Sequence, residues 1–123
     1  KIIDMEIKKT GKLFSFCCAV PAIIRKKKNK DIKFFENIGA NIGLLFQIAD
    51  DLIDFKGSSK IAGKITGKDK KKGKATLISL LGYQNAVKYS SKIKSKIIND
   101  LNKYSLDTVD LNKTLEYILT RNK

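Results

Sequence analysis

The stretch FQIADDLIDF, residues 46–55, sets Asp50, Asp51 and Asp54 at i, i+1 and i+4, with Gln47 one turn earlier. On a helix, positions 47, 50, 51 and 54 project near one face. Such a face is unfavourable by itself. Like charges at i,i+4 destabilise a helix by about 0.2–0.5 kcal/mol, and carboxylates near its C-terminal end lose about 0.3–1 kcal/mol each to the macrodipole. A divalent cation removes both conflicts. Mg²⁺ takes oxygen ligands and is usually held by one or two carboxylates together with substrate phosphates and water. The pattern therefore points to a metal-bridged phosphate ligand. The plainer alternative is a solvated acidic helix end.

The segment that follows, KGSSKIAGKITGKDKKKGKAT, places Lys56, Lys60, Lys64, Lys68, Lys70, Lys71, Lys72 and Lys74 among Gly57, Gly63, Gly67 and Gly73. Glycines let backbone approach an anion closely, and lysines supply compact positive charges for phosphate. This is not a Walker A loop: the spacing from Gly63 to Gly67-Lys68 is one residue short, and that from Gly67 to Gly73-Lys74 is one too long. Without its neighbours the segment reads more readily as a flexible basic surface segment.

These groups must be positioned by helices. One proline, eight glycines and long helix-period stretches describe an all-α chain. A first helix is expected over residues 2–20, kinked or ended near Val20 by Pro21. The run RKKKNK, 25–30, reads as a connection, and Asp31 as the cap of a second helix reaching about Phe55, with Gly57 as its stop. On that helix Phe34, Ile38, Ile42, Leu45, Ala49 and Leu52 form one buried stripe. A second stripe, Gly39, Gly43, Gln47, Asp50/Asp51 and Asp54, starts small and ends acidic. Residues 56–74 form the Gly/Lys loop. Helix resumes near Ala75, breaks at Gly82 and continues to about Tyr104. Asp107 or Thr108 caps a last helix with Leu111, Leu115, Ile118 and Leu119 on one face.

Composition excludes several classes. With 123 residues and 42% hydrophobic content, a single domain is expected. The absence of histidine removes serine- or cysteine-histidine catalysis and the usual zinc sites. Cys17 and Cys18 read as small buried hydrophobes of a reducing, cytoplasmic setting. The longest apolar run, LFSFCCAVPAII, is broken by Pro21 and falls short of the roughly twenty residues a membrane span needs. No signal peptide is visible, and the start at Lys1 reads as a cut end. The formal charge of +14 comes almost wholly from lysine, since Arg25 and Arg121 are the only arginines. A reader of nucleic-acid sequence leans on arginine forks, so no nucleic-acid partner is expected.

At this point the residues resemble a family. GLLFQIADDLIDFKG followed by AGKITGKDKKKGKATLISLLG is similar to the second aspartate-rich region of trans-polyprenyl diphosphate synthases, particularly the bacterial farnesyl diphosphate synthase type. The likeness extends upstream to KTGKLFSFCCA and downstream through SLDTVDLNKTLEYILTRNK, so it covers essentially the whole chain. The resemblance implies an all-α isoprenoid-synthase helical bundle, of which residues 1–123 are the C-terminal portion. It implies head-to-tail prenyl transfer from an allylic diphosphate to isopentenyl diphosphate, with Mg²⁺ clamping the allylic diphosphate between two aspartate-rich helices. By motif position, Asp50, Asp51 and Asp54 would be the metal ligands, Asp50 foremost. Lys9, Thr10, Gln47 and Lys64 would contact the allylic diphosphate, with Lys74 adding positive charge. Asp50, Asp51, Lys9 and Lys64 would carry the catalytic burden. The longer enzyme would be a homodimer.

The family's first aspartate-rich motif, its neighbouring arginines and the basic residues for isopentenyl diphosphate are not in this chain. One wall of an active site, inactive alone, is therefore expected, with apolar stripes such as Phe34–Ile38–Ile42 left uncovered. The alternatives are a non-catalytic homologue or subunit of the same fold, a basic helical nucleic-acid-binding protein, and a terpene cyclase or squalene-type synthase.

Overall fold

The exposed basic run 25–28 and Gly82 interrupt this chain, and the described segments beside them are helical. The computed structural model describes residues 4–5, 7–62, 77–104 and 107–121, and every regular element among them is a helix. A π-helical turn (Ile7–Gly11) leads directly into α1 (Lys12–Ile24). It is followed by α2 (Asn29–Ala62), α3 (Leu77–Leu81), α4 (Tyr83–Asn102) and α5 (Val109–Thr120). The segment 63–76, with Lys64, Lys74 and the helix start expected at Ala75, lies outside the described residues.

The 34-residue α2 is the axis of the structure and touches every other described element. At 1.5 Å per residue it is about 51 Å long. Its expected apolar stripe is buried: Ile38, Ile42, Leu45, Ala49 and Leu52 join α3, α4 and α5 in one core. Leu44, Gln47 and Ile48 are buried as well, because α1 covers a second face of α2. A helix enclosed on several sides is apolar around most of its circumference. Ala86, Ser90, Ile93, Ile97 and Leu101 make the inward stripe of α4, at helical spacing. In α5, Leu115 and Ile118 are buried while Leu111 and Leu119 pack partly buried against the core, as expected.

Helix α1 crosses α2 backbone to backbone. A Cβ built on Gly39 would lie 2.2 Å from the carbonyl oxygen of Phe14, and one on Gly43 would lie 2.6 Å from the Cα of Gly11. Only residues without a side chain allow this approach, which explains why the stripe on α2 begins with two glycines. The Ser15 hydroxyl donates to the backbone carbonyl of Glu36 at 2.9 Å and ties the crossing. At the N-terminal end of α2, Phe34 stacks on Tyr104 with centroids 4.2 Å apart, and the Tyr104 hydroxyl donates to Asp31 at 2.9 Å.

Several expected boundaries move. Pro21 does not end α1, which runs on to Ile24. Proline forfeits only its own N–H bond, and here it sits in the last turn, with its carbonyl accepting from the Arg25 N–H at 3.1 Å. Asp31 is not a cap but lies in the first turn of α2. Gly57 does not stop α2, which reaches Ala62. A glycine inside a helix costs only about 1 kcal/mol relative to alanine, too little to end a long helix. The break at Gly82 is present, with φ of 79°, a conformation that residues with a side chain rarely adopt. Asp107 accepts from the Val109 N–H at 3.0 Å and so caps α5. The two cysteines, expected buried, are not: Cys18 is half-buried, which pushes its thiol up, and Cys17 is exposed.

The stripe expected to lie bare, Phe34–Ile38–Ile42, is instead covered. Exposed apolar groups include Leu13, Phe16, Ile23 and Ile24 on α1, Phe55 on α2, Leu80 on α3 and Tyr117 on α5. No described helix is long and apolar enough to cross a membrane.

Two glycine substitutions should therefore act in opposite directions. Gly39→Ala should destabilise the protein by at least the ~1–3 kcal/mol typical of overpacking, because its neighbours are backbone atoms that cannot turn aside. Gly57→Ala meets nothing within 4 Å and should stabilise by roughly 0.5–1 kcal/mol. Denaturant unfolding of the complete protein measures both; equal effects would contradict the crossing geometry.

Candidate active site

The close crossing of α1 and α2 delivers the π-helical turn to the acidic face of α2. A π-turn widens the helix by one residue and is frequent at functional sites. Here it carries Lys9 and Thr10 and ends at Gly11, packed against Gly43. The Thr10 hydroxyl donates to Gln47 Oε1 at 3.2 Å across a separation of 37 residues. Gln47 is buried, and its side chain also hydrogen-bonds Asp51. Threonine, glutamine and aspartate therefore form one polar chain, with Lys9 beside it as a positive charge on Asp51.

Asp51 is the strained member. Burial pushes its carboxyl above the usual aspartate range, and the negative charge of Asp54 adds to the rise. The Gln47 hydrogen bond, Lys9 and a hydrogen bond from the Leu77 backbone oppose that rise without cancelling it. A half-buried carboxylate that is costly to charge gains from a nearby cation.

Asp50 faces the other way. Its carboxylate is ion-paired to Arg121, which follows the last turn of α5. The Arg121 guanidinium lies over the Phe46 ring, 4.2 Å from the centroid. Its Nε is buried without a hydrogen-bond partner among the described residues. Sequence reasoning passed over Arg121. Its signal was rarity: one of two arginines among 26 basic residues, close to the end of an amphipathic helix.

Of the residues expected to act together, the structure gathers Lys9, Thr10, Gln47 and Asp51. Asp50 is directed to Arg121, and Asp54 is exposed. Lys64 and Lys74 lie outside the described residues. Among the described residues no three acidic, cysteine or histidine groups converge into a metal cage. The donors at hand are carboxylate oxygens of one helix, which suit Mg²⁺, an ion held by one or two carboxylates with phosphate and water completing its shell. A cleft of about 170 Å³ opens beside Arg121, lined in part by Ile53, Lys56, Tyr83, Ser90 and Leu119. A larger depression, about 500 Å³, runs along α4 between Ser91 and Lys103. None of the three aspartates of α2 lines it, and Lys96 and Lys103 at its wall are already paired with Asp100.

Comparison with known proteins bears on this geometry. The profile of the polyprenyl synthetase family matches residues 1–117. A farnesyl diphosphate synthase of Micrococcus luteus is 32% identical over 119 residues, covering 97% of this chain and 41% of that protein. Geranylgeranyl pyrophosphate synthase 4 of Arabidopsis thaliana is 33% identical over 105 residues, covering 85% of this chain and 28% of that protein. The chain thus spans well under half the length of these relatives. The crystal structure of a geranyltransferase from Helicobacter pylori superposes with a TM-score of 0.67 over 96% of this chain and 37% of that one, at 24% identity. The fold is the all-α isoprenoid-synthase fold.

The raised Asp51 carboxyl has a signature in stability. A carboxyl whose folded pKa exceeds its unfolded value makes the folded state lose stability as pH rises from the unfolded to the folded value. Asp51→Asn removes that loss. In the complete protein with chelator present, Asp51→Asn should unfold at a higher temperature than wild type near neutral pH. The difference should vanish at pH below the ordinary aspartate value. A difference independent of pH would contradict the environment described for Asp51.

Proposed function

The chain belongs to the polyprenyl synthetase family, and from that premise we propose that it forms one wall of the active site of a prenyl diphosphate synthase. The reaction proposed is condensation of an allylic diphosphate with isopentenyl diphosphate. The observation that carries this reading is the Thr10–Gln47–Asp51 chain with Lys9 alongside. It brings a cation, a hydroxyl, an amide and a carboxylate from two helices to one place.

Each group has work suited to a diphosphate. Lys9 is exposed and free to turn toward a phosphate oxygen. The Thr10 hydroxyl gives its one proton to Gln47 Oε1 in the free chain and can redirect it to a phosphate oxygen when diphosphate binds. Lys64 and Lys74 complete the positive side of the proposed site, and Asp50, Asp51 and Asp54 its metal side. Mg²⁺, when bound, supplies the Lewis acid that neutralises the departing diphosphate. The chain itself needs no nucleophile. As the allylic carbon–oxygen bond breaks, negative charge grows on the diphosphate, and fixed donors aimed there lower the barrier. The isopentenyl double bond then forms the new carbon–carbon bond and a proton is lost. The absence of histidine is no obstacle to such chemistry.

The test is turnover of the complete protein with allylic and isopentenyl diphosphates and Mg²⁺. Asp50→Ala should lower turnover by two orders of magnitude or more, since removing one group that stabilises transition-state charge costs about 10²–10³ in rate. Lys9→Ala should raise KM for the allylic substrate more than for isopentenyl diphosphate. Helix content should be unchanged in both. A wild-type rate for Asp50→Ala at saturating Mg²⁺ would sink the assignment.

A further inference from the structure

The ion pair at Asp50 joins residues 71 positions apart. Asp50 stands among like charges, beside Asp51 and one turn from Asp54. The side chain of Asp50 is 42% exposed and that of Arg121 only 15%. A largely buried guanidinium is held by contacts on several sides, and here one flat face lies on Phe46 while a single nitrogen, Nη2, meets the Asp50 carboxylate. The hold is incomplete, because the Arg121 Nε is buried with no partner among the described residues.

Given the metal reading above, on which this inference rests, we propose that Arg121 is a resident counter-cation that competes with divalent metal for Asp50. In the metal-free protein the guanidinium offsets the repulsion among the carboxylates. A metal ion that takes the Asp50 oxygen must displace it. Metal alone then binds weakly, since the competitor reduces the fraction of sites open to it. Metal arriving with diphosphate gains phosphate ligands that outweigh the arginine. Arg121 thereby discourages occupation of the site by metal without substrate. It acts through Asp50 and is a positioning residue, not a catalytic one.

Lys56 provides the control. It is exposed and lines the same cleft as Arg121, so its removal changes local charge without touching the ion pair. The experiment is Mn²⁺ titration of the complete, chelator-stripped protein, without diphosphate, followed by electron paramagnetic resonance of free Mn²⁺. Arg121→Gln should lower the Mn²⁺ dissociation constant roughly five- to tenfold, and Lys56→Gln less than about twofold, as expected for a direct partner against a screened surface charge. Asp50→Asn should weaken binding. Phe46→Leu, which removes the seat but keeps the arginine, should tighten binding by a smaller factor than Arg121→Gln and serves if the latter does not fold. If Asp50→Asn weakens binding while neither Arg121→Gln nor Phe46→Leu tightens it, the competition is overturned and the metal reading stands. Equal tightening by Lys56→Gln overturns it as a general charge effect. No Mn²⁺ binding by either the wild-type protein or Arg121→Gln overturns both.

Discussion

The backbone crossing of α1 over α2 is the constraint from which the rest follows. Gly39 and Gly43 let two helices meet at distances that exclude even a methyl group. A wider crossing would lift the π-helical turn away from Gln47, and the 3.2 Å hydrogen bond from Thr10 would be lost. The helices on the opposite side of α2, α4 and α5, need no such approach and pack through leucine, isoleucine and alanine side chains. Precision is concentrated where polar groups meet, and ordinary apolar burial suffices elsewhere.

The acidic face of α2 is handled one carboxylate at a time. Asp51 receives Gln47, Lys9 and a backbone donor, and burial still leaves it above its ordinary range. Asp50 receives an arginine seated on a phenylalanine. Asp54 is exposed, where solvent screens it. Repulsion among adjacent carboxylates is therefore offset by three different means, so the three side chains do not converge. This arrangement suits a protein whose metal, in the proposed reading, arrives with its phosphate ligand rather than residing in a preformed cage.

Much of this was legible in the residues. The inward stripes of α2 and α5 follow from helical spacing, and the break at Gly82 from glycine's tolerance of positive φ. The clustering of Gln47 with the aspartates follows from the helical repeat, and the family from the spacing of FQxxDDxxD and GKAT. What was not legible depended on tertiary contact. Pro21 and Gly57 signal stops locally, but α1 and α2 are held against neighbours that outweigh the loss of one bond or about one kcal/mol. The burial of Ile38 and Ile42 depends on helices that fold back from the far end of the chain. Arg121 pairs with a residue 71 positions away, and no local pattern announces such a contact.

In the proposed reading, the π-turn and α2 act as one unit toward diphosphate. A double-mutant cycle measures that directly: calorimetric titration of inorganic diphosphate with Mg²⁺ into the complete protein, as wild type, Thr10→Val, Gln47→Leu and the double variant. If the two side chains position each other, the losses should be coupled by roughly 0.5–3 kcal/mol, the range seen for residues in contact. Losses that add within about 0.3–0.5 kcal/mol, the behaviour of independent sites, would contradict the account.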